Sequence, residues 1–262
     1  MNNRRAFIIG LKSTILTKKE FFLLKKYKPW GVILFSRNIK TIKQTKNLTT
    51  SIKNLFKDNN YPILIDQEGG RVDRFGKLIN TSLFTGEFFG NLYKKNNKKF
   101  KLYYELFIRQ TSFMLKQTGI NINTVPLLDV RRKKSNNIIG NRSYSSNHKI
   151  VSKIGDFCIK HFHKNNIGTV IKHIPGHGLS KVDSHKTTPI IKEKISVLKK
   201  IDFFPFKNKK SFFAMTAHII YENIDKTLTA THSSKVINII RKDIQFNNIL
   251  ISDDISMKGL RY

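Results

Sequence analysis

Cysteine occurs once in the chain, as Cys158, so no internal disulfide can form and a reducing compartment, the cytoplasm, is expected. Proline (6 residues) and glycine (14) are sparse, which excludes collagen-like and proline-rich architectures. No apolar run approaches the roughly 18 residues of a membrane-spanning helix, and no membrane partner is expected. The paired arginines of MNNRRAFIIGLKSTIL look like a twin-arginine leader. The apolar run behind them covers only residues 6–11, contains Gly10, and stops at Lys12 with no small-residue cleavage site, so it reads as a first strand.

Acidic residues are also scarce: 17 Asp and Glu stand against 49 Lys and Arg, giving a formal charge of +32. That balance would suit a polyanion partner. Yet the lysines are spread along the whole chain among Asn, Ile and Phe, as in KKNNKKFK and FKNKKSFF, and no nucleic-acid reading motif accompanies them. The excess reads as the bias of AT-rich codons, and no specific nucleic-acid partner is expected.

What is present is an alternation of short β-branched runs with longer amphipathic segments, the pattern of βα units around a parallel sheet. Seven strands are predicted, over residues 6–11, 31–36, 62–66, 123–129, 169–173, 211–218 and 248–253. Helices are predicted over 17–27, with Thr17 as N-cap and Glu20 three residues on, and over 41–56, 98–117, 150–163, 193–200 and 233–243. No linker, repeat or domain break interrupts them, so residues 1–262 read as one domain. A doubly wound open sheet and a TIM barrel both bury a parallel sheet on two faces. The polar residues decide between them. Asp66, Asp129, His173, His218 and Asp253 each end a different predicted strand, and only a barrel gathers such ends at one mouth. The Gly-rich turn of a dinucleotide fold is missing after the first strand.

The densest polar stretch is KHIPGHGLSKVDSH, residues 172–185. Zinc ligation would place His173 and His177 on one helical face, which Pro175, Gly176 and Gly178 forbid. No Walker pattern supports a phosphate loop, and neither metal nor cofactor is expected. An acid/base loop remains: Asp183, two residues before His185, can fix the imidazole tautomer and raise its basicity. An Asp/Ser turn followed by a solvent histidine would be the plain alternative if the tripeptide stood alone. It is accompanied by LIDQEGGRVDRFG, which carries Asp66, Arg71 and Arg74, by GNRSYS with Arg142, and by ILISDDISMKGL with Asp253 and Asp254. Only one of those last two carboxylates can face a barrel mouth, since neighbours on a strand point oppositely.

With GVILFSRN, PLLDV and AHIIY added, these motifs run from about residue 31 to the C-terminus, and the chain resembles the β-N-acetylglucosaminidases of glycoside hydrolase family 3, the bacterial type acting in cell-wall recycling. The resemblance implies a TIM barrel and a retaining exo-glycosidase that releases N-acetylglucosamine from muropeptide-like fragments. It implies Asp253 as nucleophile, His185 on a mobile loop as general acid/base, and Asp183 as the carboxylate polarising it. Asp66, Arg74, Arg142, Lys172 and His173 match positions that hold the sugar. Arg71 reads as a strand-end ion pair, Asp254 as a hydrogen-bonding or capping residue for the next segment, His177 as a loop-shaping group, and His218 as a site-lining group that transfers no proton. A small carbohydrate is the expected partner of a monomer. A related β-glycosidase, a phosphorylase, and an inert or polyanion-binding remnant stay open as alternatives. Relatives continue past the nucleophile strand with an eighth strand and a closing helix, whereas this sequence stops at Tyr262. The expectation is therefore a barrel lacking its last β/α unit, with an open seam.

Overall fold

The computed structural model describes residues 4–133, 137–182 and 187–260. Seven strands form one all-parallel sheet: β1 (Arg5–Gly10), β2 (Pro29–Leu34), β3 (Ile63–Ile65), β4 (Ile122–Asn123), β5 (Gly168–Ile174), β7 (Phe213–Thr216) and β9 (Ile249–Ser252), in that spatial order. Two further two-residue strands, β6 (Ile190–Ile191) and β8 (Ile220–Tyr221), pair with each other in parallel. All seven strands predicted from sequence are present, and β6 and β8 are too short to register as runs.

The sheet curls as in a TIM barrel, and the reason lies in a period of two. The register aligns Ile8 with Gly31, Ile33 with Leu64, Leu64 with Ile122, Ile122 with Gly168, Val170 with Phe213 and Met215 with Ile251. Ile8, Ile33, Leu64, Ile122, Val170, Phe213, Met215 and Ile251 pack with one another in an inner cluster. The alternate residues Ile9, Val32, Leu34, Ile63, Ile65, Ile171, Ala214 and Leu250 belong to a larger outer cluster with the helices. Two separate cores, one on each face, are what a curled sheet enclosed by helices requires.

The helices are α1 (Lys18–Tyr27), α2 (Ile42–Phe56), α3 (Gly86–Lys95), α4 (Asn97–Gln117), α5 (His148–Lys164), α6 (Ile195–Lys200) and α7 (Ser234–Lys242). The capping box expected at Thr17 and Glu20 closes α1: Glu20 N donates to Thr17 Oγ1 at 3.2 Å and Thr17 N to Glu20 Oε2 at 2.9 Å. Strand β4 is shorter than the predicted 123–129. Pro126 has no N–H to offer a ladder, and the chain beyond it keeps pace with β5 through Leu128 N to Lys172 O at 2.7 Å and Lys172 N to Pro126 O at 3.2 Å.

Helix α3 is not among the helices expected from the sequence, and it contains two glycines, Gly86 and Gly90. Their role is close approach. A Cβ at Gly86 would collide with the carbonyl oxygen of Arg142, and one at Gly90 with that of Tyr144. The helix thus lies directly on the backbone of the segment carrying Arg142. Gly90→Ala should overpack this contact and lower stability by about 1–3 kcal/mol, read as a lower urea midpoint with unchanged slope.

Candidate active site

Two residues beyond the inward apolar layer, the same face continues at the C-terminal edge of the sheet. Phe35 follows Ile33, Asp66 follows Leu64, Thr124 follows Ile122, Lys172 follows Val170 and Asp253 follows Ile251. The alternation of strand side chains therefore aims Asp66, Lys172 and Asp253 toward one mouth and turns Asp254 away. Asp254 Oδ1 instead accepts from Ser256 N at 2.8 Å and Ser256 Oγ at 2.7 Å, capping the next turn as expected.

Lys172 is the centre of the first cluster. Its side chain is 2% exposed, and Nζ lies 2.9 Å from Asp66 Oδ1, 2.6 Å from Glu68 Oε1 and 3.2 Å from Thr124 Oγ1. Thr124 Oγ1 also donates to Asp66 Oδ1. Glu68 takes Arg142 in a two-pronged bond, Nε to Oε2 at 2.9 Å and Nη2 to Oε1 at 2.8 Å. Arg74 Nη2 is 3.5 Å from Asp66 Oδ2, and its guanidinium lies 5.7 Å from the centre of the Phe35 ring.

Burial by itself would raise both carboxyls. Lys172 and the Thr124 hydroxyl outweigh it and hold Asp66 at about 2, and Arg142 and Lys172 hold Glu68 lower still. For Lys172, burial favours the neutral amine, but Asp66 and Glu68 reverse that and keep the ammonium above its ordinary range.

The second cluster is built on Asp129, which is fully buried. Burial would raise its carboxyl, but the adjacent His173 ring holds it below the ordinary range. The ionised Asp129 only accepts, so His173 Nδ1, 2.7 Å from Asp129 Oδ2, is the donor. His173 Nε2 then faces the other way, 3.9 Å from Asp253 Oδ2. Lys172 and His173 are consecutive, yet both reach the mouth, because the β5 register shifts between Lys172 and Ile174. His177 N donates to Asp129 Oδ1 at 2.6 Å, and burial followed by the His173 charge pushes the His177 ring down to about 4, which makes it a neutral loop-shaping group. His218 is buried, with Nε2 donating to Asp254 O at 3.1 Å and Nδ1 accepting from Thr231 Oγ1 at 2.8 Å. Among the described residues, no three His, Cys, Asp or Glu side chains are grouped so as to hold a metal ion. Among the same residues, no helix is long and apolar enough to cross a membrane.

The structure thus brings Asp66, Arg74, Arg142 and Lys172 into one cluster and sets His173 beside Asp253. Asp183 and His185 lie outside the described residues. Arg71 departs from the expected ion pair: Nη2 donates to the carbonyls of Asn137, Ile138 and Ile139, a saturation of backbone acceptors that no sequence pattern signals. Sequence reasoning missed Glu68 and undervalued Asp129. Glu68 sits inside the DQEGG motif, and the signal available was an acid two residues beyond Asp66 in a chain with so few acids.

Removing Glu68 leaves two buried cations facing each other. Glu68→Ala should cost about 3–5 kcal/mol in chemical denaturation. Because the folded carboxyls of Asp66 and Glu68 are depressed below ordinary values of 3.8 and 4.5, their contribution is complete above about pH 5 and is lost as pH falls toward 2. Lys172→Met should flatten that acid limb of the stability curve.

The chain was compared with known proteins. Residues 12–262 match the family model described as the glycosyl hydrolase family 3 N terminal domain. A beta-hexosaminidase of Neisseria meningitidis serogroup A is 33% identical over 236 residues, covering 87% of this chain and 64% of that protein. Beta-hexosaminidase A of Pseudoalteromonas piscicida is 30% identical over 259 residues, 91% of this chain and 43% of that one, so the chain spans less than two thirds of the length of each of these two relatives. The crystal structure of NagZ from Neisseria gonorrhoeae in complex with N-trifluoroacetyl-D-glucosamine superposes with a TM-score of 0.87 at 29% identity, over 97% of this chain and 75% of that one. Seven parallel strands with two cores, a charged cluster at their C-terminal edge and a family match over nearly the whole length agree: the chain belongs to glycoside hydrolase family 3, through its N-terminal, TIM-barrel-like domain.

Proposed function

We propose that the protein is a retaining exo-β-N-acetylglucosaminidase acting on small, peptidoglycan-derived saccharides such as muropeptides. The observation that carries this reading is the placement of Asp253 on the inward face with Asp66 and Lys172, with His173 Nε2 3.9 Å from its carboxylate. Relatives named beta-hexosaminidase and a NagZ structure holding an N-acylated glucosamine supply the substrate class.

The roles follow from the chemistry. Asp253, 24% exposed, attacks the anomeric carbon and forms a glycosyl-enzyme intermediate. His185, oriented by Asp183, protonates the departing oxygen and then deprotonates water for the second step. An imidazole in that position repels the anionic nucleophile less than a second carboxylate would. Asp66 is held ionised, so it offers only acceptors to sugar hydroxyls. Arg74, 28% exposed and held to Asp66 only at 3.5 Å, keeps guanidinium donors for a ligand oxygen. His173, oriented by Asp129, presents Nε2 beside Asp253, 3.9 Å from its carboxylate, where it can also meet a sugar substituent. Arg142 and Lys172 spend most of their hydrogen-bonding capacity on Glu68 and Asp66, so their effect on substrate passes largely through those carboxylates.

The test is hydrolysis of a chromogenic N-acetyl-β-glucosaminide, with and without added phosphate. Wild type should turn over independently of phosphate. Asp253→Asn should lose about a thousandfold or more in kcat, and His185→Ala about a hundredfold or more. A folded wild-type chain without turnover would sink the reading, and turnover that requires phosphate would move it to a phosphorylase.

A further inference from the structure

His218 takes no part in the chemistry described above, yet both nitrogens of its buried ring are committed. Nε2 lies 3.1 Å from the carbonyl oxygen of Asp254, and Nδ1 lies 2.8 Å from Thr231 Oγ1. A carbonyl oxygen only accepts, so Nε2 carries the proton. Burial holds the ring below the ordinary histidine range and so keeps it neutral, which makes Nδ1 an acceptor and the Thr231 hydroxyl its donor. Thr231 Oγ1 is in turn 2.9 Å from Thr216 Oγ1, so the ring is backed by a pair of hydroxyls at the end of β7.

The bond to Asp254 falls where the sheet ladder has stopped. The last rung between β7 and β9 joins Thr216 to Ser252, so Asp253 and Asp254 lie beyond it. The Asp254 carbonyl also accepts from Met257 N at 3.1 Å, and Asp254 Oδ1 takes Ser256. Those bonds are local and set the shape of the turn. His218, 36 positions away in sequence, ties the turn to the neighbouring strand. The same turn grips the nucleophile: Asp254 N donates to Asp253 Oδ1 at 2.8 Å, while Asp253 Oδ2 faces His173 Nε2 at 3.9 Å. The two carboxylate oxygens are therefore not equivalent, and Oδ2 is the one that the backbone leaves free to attack.

We propose that His218 is a positioning residue for the nucleophile: its Nε2–H holds the Asp254 carbonyl, and the Asp254 N–H then holds Oδ1 so that Oδ2 of Asp253 is presented to the anomeric carbon. This rests on the role of Asp253 given above. In the first step a bond forms from Oδ2 to the anomeric carbon as the bond to the leaving group breaks and its electron pair departs with that group. Such an attack needs the reacting atoms already near contact, and a misplacement of about 1 Å costs up to about a hundredfold in rate.

The experiment isolates that one bond. A 5-fluoro N-acetyl-β-glucosaminyl fluoride releases fluoride without a proton donor, and its ring fluorine slows hydrolysis of the intermediate, so labelled enzyme accumulates and is followed by intact mass, with the label located by peptide mapping. The second-order labelling constant is measured for wild type, His218→Gln, His218→Asn and His218→Leu. Glutamine sets an amide N–H near the position of Nε2, asparagine stops at the position of Nδ1, and leucine has no donor. The Asn and Leu variants should label about tenfold more slowly or worse, and the Gln variant within about threefold of wild type. The N-acetylglucosamine concentration that halves the labelling rate should stay within about twofold in all of them, because the sugar cradle is untouched. If the Leu variant does not fold, the Asn and Gln pair decides. Equal rates for Asn and Gln, or losses matched by an equal loss of protection by N-acetylglucosamine, with wild type labelled on Asp253, would overturn the positioning role and leave the nucleophile assignment intact. Wild type left unlabelled, or labelled on another residue, would overturn both.

Discussion

Lys172 carries a charge into a place where 2% of its side chain meets solvent, and much of the mouth is arranged around that fact. An ammonium so buried is tolerable only when carboxylates surround it with good geometry. Asp66 comes from the end of β3, Glu68 from the loop after it and Thr124 from just past β4, so three neighbouring segments are tied to a side chain of β5. Glu68 then carries the constraint outward to Arg142, whose own segment is pressed against α3 by the missing side chains of Gly86 and Gly90. A helix that sequence periodicity does not announce thus ends up setting one wall of the site.

The second cluster uses the same logic with less charge. Asp129 has no exposure, and it is satisfied by the His173 ring and by backbone N–H groups of His173 and His177. That satisfaction leaves a single orientation for the imidazole, with Nε2 toward Asp253. The two clusters meet at consecutive residues of β5, where a register shift lets Lys172 serve one and His173 the other.

Much of this was legible in the sequence, for definite reasons. The seven strands are short, apolar and bounded by polar ends, and buried parallel strands have no cheaper way to look. Asp66 and Asp253 could be placed at strand ends because an apolar run and its polar end are local features; parity allows only one of Asp253 and Asp254 at the mouth, and the family resemblance selected Asp253. What escaped were features set by contacts between distant segments. Helix α3 was not among the elements read from sequence, and the reason for Gly86 and Gly90 shows only when the carbonyls of Arg142 and Tyr144 are seen against them. Arg71 read as half of an ion pair until the three carbonyls of residues 137–139 are seen around it.

By itself, then, the sequence determined the class of fold, the strand ends that bear chemistry and the family to which the chain belongs, because periodicity, turn residues and motif order are all written along one dimension. The tertiary structure decided which charges neutralise which. It made Glu68 the partner shared by Lys172 and Arg142, gave His173 its orientation through Asp129, and paired β8 with β6. Coulombic pairing and close packing depend on distances between residues as many as 106 positions apart, as Lys172 and Asp66 are, and such distances exist only once the sheet has curled.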